Sequence, residues 1–179
     1  MFTTMNQQLT TYIAITLAVA CIAIFGIKLD QELNITGLKS DDCCTDEQLS
    51  NFQLTFDRTP CYGTCPVYSI SINNSGKAIV MGHGHVEFEE IILQLTDEQL
   101  RSIAKLTYAA NFYEIEDIYK QGERGCERYS TDSPHSVWSV TSGQYSNSVD
   151  FYYGCNNTPQ TIPLMEEALV SFMGLENYL

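Results

Sequence analysis

Positive charge is what this chain has least of. Its 179 residues hold nine Lys and Arg against 22 Asp and Glu, a formal net charge of −13. A nucleic-acid binder needs a basic face to neutralise phosphates, and docking on anionic lipid headgroups needs a basic patch, so both classes are excluded. Catalytic fingerprints are missing as well. There is no G-x-S-x-G elbow, no H-E-x-x-H zinc helix, no phosphate-binding loop and no G-x-G-x-x-G turn. Ser133 stands two residues from His135 but without a positioned third group, so the enzyme reading has no anchor in the sequence. What the chain does have is 44% hydrophobic and 11% aromatic residues, which excludes a wholly disordered polypeptide, and a length that suits one domain.

Charge is also absent from one place. No charged side chain precedes Lys28, and Tyr12 to Ile27 is apolar apart from Thr16 and Gly26. About 20 helical residues cross a hydrocarbon core of about 30 Å, so residues 9–29 are read as an N-terminal transmembrane helix that anchors the chain. A cleaved signal peptide competes, with Ala18-Val19-Ala20 as its small-residue site. The lack of a preceding Lys or Arg and the continuation of the apolar run through Ile27 count against cleavage, and equally against acylation at Cys21. Residues 30–51 are acidic and poor in large apolar groups and read as a stalk, followed by a single domain over 52–179.

Orientation is contested between two signals. Lys28 and Lys39 follow the span, which by the positive-inside rule keeps the domain cytoplasmic. Six cysteines beyond the span, Cys43, Cys44, Cys61, Cys65, Cys126 and Cys155, favour disulfides and an extracytoplasmic domain, periplasmic or at the cell surface. The second signal is preferred.

Within the domain, Phe52, Leu54 and Phe56 alternate with polar residues, as do Tyr68, Ile70 and Ile72, giving two half-buried strands. Asn73 to Gly76 supplies a turn into a third strand, and another extended stretch is expected from His85 to about Leu93. Thr96 with Gln99 predicts a capping box opening a helix, and the same TDEQL string occurs at Thr45–Leu49. A second hairpin follows around Ser142-Gly143. A last helix, with Pro163 in its first turn, is expected to bury Leu164, Ala168 and Phe172. The order implies an α+β fold: an antiparallel sheet of five to six strands with two helices on one face.

Arg58-Thr59-Pro60-Cys61-Tyr62-Gly63-Thr64-Cys65-Pro66-Val67-Tyr68 resembles the signature of a bacterial family of domains of unknown function, the one numbered 6438. Looser echoes follow in order: Phe112-Tyr113, Tyr119, and Thr131-Asp132-Ser133-Pro134. The resemblance covers roughly residues 52–174 and implies a small exported or lipid-anchored domain, with no activity attached. Arg58, Tyr62 and Tyr68 in the signature, with Tyr119 and Asp132 among the echoes, are the candidate binding residues.

Two further constellations carry chemistry. Cys61 and Cys65 flank Gly63, whose freedom lets a short loop bring two Cα atoms within disulfide range, so a structural staple is expected. Thiol redox work is the poorer alternative, because the spacing is not Cys-x-x-Cys and no helix start lowers a thiol pKa. Cys126 and Cys155 are candidate partners for each other, whereas Cys43 and Cys44, being adjacent, are expected to bridge elsewhere or link chains. His83, His85 and Glu87 are spaced by two, so on a strand they share a face and could hold zinc; the competing reading is a solvated polar face, with no cofactor at all. The eleven tyrosines suit either a recognition surface or ordinary strand composition. Together these features favour a non-enzymatic binding module of the cell envelope, partnered by an envelope protein or surface ligand, over a metal or thiol-redox protein.

Overall fold

The computed structural model describes residues 43–156, 158 and 160–179. The anchor assigned to residues 9–29 and the stalk before Cys43 lie outside the described residues. Among the described residues, no helix is long and apolar enough to cross a membrane.

The chain forms α1 (Asp46–Leu49), β1 (Gln53–Arg58), β2 (Val67–Asn73), β3 (Lys77–Gly84), β4 (Glu90–Gln94), α2 (Asp97–Ala109), β5 (Ile118–Tyr119), β6 (His135–Ser142), β7 (Tyr145–Tyr152) and α3 (Thr161–Phe172). The strands make one seven-stranded sheet in the order β4-β3-β2-β1-β6-β7-β5. Strand alternation sets its two faces. Leu54, Phe56, Ile70, Val80, Trp138, Val140 and Phe151 are buried on one face, while Thr55, Asp57 and Ser71 on the other are exposed. The buried face is covered by Leu100, Ile103 and Ala104 of α2 and by Ile162, Met165 and Leu169 of α3, all in one core. Each fully buried Leu, Ile, Val, Phe or Met side chain among them contributes about 1.5–3 kcal/mol.

Four expectations are corrected. The sheet is mixed and has seven strands, because the two-residue β5 pairs parallel to β7. It is too short to alternate, and it is held by the Tyr119 ring against Phe151, with centroids 5.7 Å apart. The stretch from His85 to Leu93 is not one strand: β3 ends at Gly84, His85 turns left-handed (φ 54°), and pairing resumes only at Glu90. The last helix buries Ile162, Met165, Glu166 and Leu169, leaving Leu164 and Phe172 49% and 43% exposed. Both stripes are apolar at helical spacing, so periodicity alone could not choose between them. Finally, Cys43 and Cys44 are bonded to each other, the left-handed backbone at Cys44 (φ 69°) letting the adjacent side chains meet.

Residues 43–51, the end of the stretch read from the sequence as a stalk, pack onto the sheet and helices. Cys44 and Leu49 are buried, Asp46 pairs with Arg101, and the Asn51 side chain bonds both the amide and the carbonyl of Gly143. The recurring TDEQL string has one local meaning in both places. In α1 and α2 alike the threonine hydroxyl accepts from the glutamine amide while the glutamine side chain accepts from the threonine amide.

Candidate functional site

The ends of β1 and β2 carry the alternation one step beyond the apolar core. Arg58 follows Leu54 and Phe56 on the buried face, and its cross-strand partner there is Tyr68. A guanidinium on the core side of a sheet has to find a counter-charge. It finds Glu166, which α3 carries in the middle of its buried stripe. Tyr68 donates its phenol hydrogen to Glu166 Oε1 at 2.9 Å, and Tyr153, just past β7, donates to Oε2. The Arg58 guanidinium also lies over the Tyr153 ring, 4.7 Å from its centroid. Arg58 and Glu166 side chains are 19% and 10% exposed.

Burial pushes the Glu166 carboxyl above the usual carboxylate range, with Arg58 and the hydrogen bond from Tyr68 opposing. Burial, then the neighbouring Glu166 charge, drives the Tyr68 phenol far above its ordinary value, so it is a fixed hydrogen-bond donor. Glu166 receives three donors. Among the described residues, Arg58 Nε is the buried side-chain nitrogen left without a partner.

Beside this cluster opens a groove of about 410 Å³. Its walls are Pro66, Tyr153, Pro163, Val170 and Leu179, and Glu167 and Glu176 are carboxylates on its lining. Pro66 directly follows a second feature, the ring closed by the Cys61–Cys65 disulfide, whose Cα atoms are 5.8 Å apart. Gly63 supplies the backbone the ring needs (φ 145°), and the Tyr62 amide is tied to the Asp132 carbonyl at 3.0 Å. The Tyr62 side chain is left 88% exposed, the most exposed of the large hydrophobic side chains among the described residues.

Of the candidate binding residues, the structure thus brings Arg58 and Tyr68 together and joins Tyr62 to Asp132 at the same sheet end. Tyr119 is not part of it: 6% exposed, it packs in the core against Phe151. Most other tyrosines of the second half are also structural. The rings of Tyr108, Tyr113 and Tyr145 meet one another in tilted and edge-to-face contacts, and burial pushes the Tyr113 phenol up to about 12. Cys126 and Cys155 are disulfide-bonded, with Cα atoms 4.9 Å apart, bracing the 113–134 loop against the end of β7.

The histidine constellation is not assembled. His83 Nε2 lies 3.0 Å from Ser69 Oγ, whereas His85 and Glu87 have left the strand. The cause is a fold-back onto Gly82, where an added Cβ would meet the Phe88 carbonyl oxygen at 2.1 Å. The third histidine, His135, is elsewhere: its Nδ1 is 3.0 Å from Asp150, which also pairs with Lys120. Burial raises the Asp150 carboxyl, but the hydrogen bonds from Lys120 and His135 outweigh it and hold the group below its ordinary value. Among the described residues, no group of three or more His, Cys, Asp or Glu side chains is placed to hold a metal ion.

Sequence reasoning missed Glu166, and Tyr153 stood out there only as one of the many tyrosines of the second half. A signal for the first existed: a lone carboxylate inside an apolar helical stripe, and a lone cation at a core-facing strand position, each demanding a partner.

Residues 52–172 match the model of a family described as a domain of unknown function, DUF6438. No curated protein matches the chain.

Proposed function

The chain belongs to this DUF6438 family, a membership that bounds the domain without assigning an activity, and we propose that it is a membrane-anchored, extracytoplasmic binding module of the cell envelope. One observation carries the reading: an aromatic side chain, Tyr62, held 88% exposed on a disulfide-closed ring that leads directly into the Arg58 groove. Exposing a large aromatic ring in water gains nothing for folding, whereas tyrosine on a rigid loop is a strong interface anchor. A closed ring also loses less conformational entropy when a partner docks than an open loop would. The Arg58–Glu166 cluster holds the sheet end that carries this ring against α3. The outward orientation rests on the six cysteines beyond the apolar segment, and the anchor on residues 9–29.

A photo-crosslinking amino acid placed at Tyr62 of the full-length protein in its native membrane tests this. The expected result is one discrete adduct, absent when the crosslinker replaces Thr55 on the open sheet face. Equal labelling from both positions, or none from position 62, overturns it.

A further inference from the structure

We infer that the groove beside α3 receives a lysine- or arginine-bearing, otherwise apolar peptide segment of a partner protein, an inference that rests on the binding-module reading. The argument starts from charge. Among the described residues, Arg58 is the only basic residue lining the groove, and its guanidinium pairs with Glu166 and lies over the Tyr153 ring. The pair is neutral, so the unspent charge of the groove is the carboxylates of Glu167 and Glu176, both exposed. Glu176 is held below the ordinary carboxylate range by a hydrogen bond from its own backbone amide and by one from Ser171. A cation therefore fits the lining, and an anion would meet two like charges.

Shape and polarity add the rest. Pro66, Pro163, Val170 and Leu179 present partly exposed apolar walls. A volume of about 410 Å³ falls in the range of clefts that hold a few side chains. Lysine and arginine suit such a place, since their stems lie on apolar surface while the charged head reaches a carboxylate. The chain's net charge of −13 would steer a cationic segment toward it.

The probe is the blocked pentapeptide Leu-Pro-Lys-Leu-Pro, with its Lys→norleucine and Lys→Glu analogues, titrated calorimetrically into full-length protein in detergent micelles. The lysine peptide is expected to bind at least tenfold more tightly than either analogue. Its affinity should fall with added salt and drop roughly tenfold in a Glu167→Gln/Glu176→Gln variant, whose substituted side chains are exposed so that it should still fold, with at most a small drop in melting temperature for the lost Glu176 hydrogen bonds. Equal binding of the three peptides, no binding of the lysine peptide, or binding indifferent to the double substitution overturns the inference. Crosslinking from position 62 in the native membrane separates the two claims. An intact adduct alongside a failed lysine peptide removes the groove's ligand class alone, and loss of both removes the binding-module reading with it.

Discussion

Two regions of the domain carry polar residues at suggestive positions, and the structure treats them oppositely. His83, His85 and Glu87 have regular spacing, and the fold disperses them at the Gly82 fold-back. Arg58, Tyr68, Tyr153 and Glu166 have no common spacing, and the fold gathers them around one carboxylate. Period-2 polarity arises on any sheet with a wet face, so it carries little functional information. A charge on the core side of a strand is different, because it cannot be left alone and so enforces a partner from a distant element.

That contrast breaks if the clustered residues prove dispensable. Glu166→Ala leaves Arg58 buried without its counter-charge and two phenols without an acceptor. Urea unfolding is expected to show a loss of about 3–5 kcal/mol. Near-wild-type stability would mean that the cluster is a surface ornament.

Glu166→Gln keeps the shape and sharpens the point through pH. Since the native state raises the Glu166 pKa, the folded protein binds that proton more readily than the unfolded chain. Wild-type stability therefore falls as pH rises from the ordinary carboxylate range through the native value, while the glutamine variant lacks this term. The stability deficit of the variant should shrink as pH rises across that window, and a growing deficit contradicts the assignment.

Opening the Tyr62 ring should have a smaller effect on stability than Glu166→Ala. For a five-residue loop the chain-entropy model gives about 2 kcal/mol, so Cys61→Ala/Cys65→Ala should fold, with a modestly lowered urea midpoint and weakened crosslinking from position 62. Undiminished crosslinking would show that ring closure does not present the tyrosine. The smallest effect belongs to the dispersed set. His83→Ala/His85→Ala should change stability by less than about 0.5 kcal/mol and leave bound zinc, measured by mass spectrometry of the metal content, unchanged. Loss of bound zinc would restore the metal reading.

Much of the fold was legible locally. Alternation placed β1 and β2, the turn after β2 placed β3, Asn73 makes that turn by accepting from the amides of Ser75 and Lys77, and both capping boxes form. The two disulfides expected from spacing and compartment, Cys61–Cys65 and Cys126–Cys155, are present. The rest depends on what no local pattern contains. Choosing the Ile162–Met165–Leu169 stripe of α3 over Leu164–Ala168–Phe172 requires knowing that Arg58 waits beneath it. The parallel strand β5 requires a neighbour, β7, about 30 residues away. Half of the site, Arg58 and Tyr68, lay inside the signature Arg58–Tyr68; the other half comes from chain almost a hundred residues later.

The central claim is a closed ring presenting Tyr62 outside the cytoplasm. Its most direct test is a cysteine map of the full-length protein from its native membrane, with free thiols alkylated before reduction and peptides identified by mass spectrometry. The account predicts Cys61 and Cys65 protected from alkylation and linked to each other in nearly all molecules. Both thiols free and readily alkylated would contradict it, opening the ring and returning the domain to the side of the membrane that Lys28 and Lys39 favour.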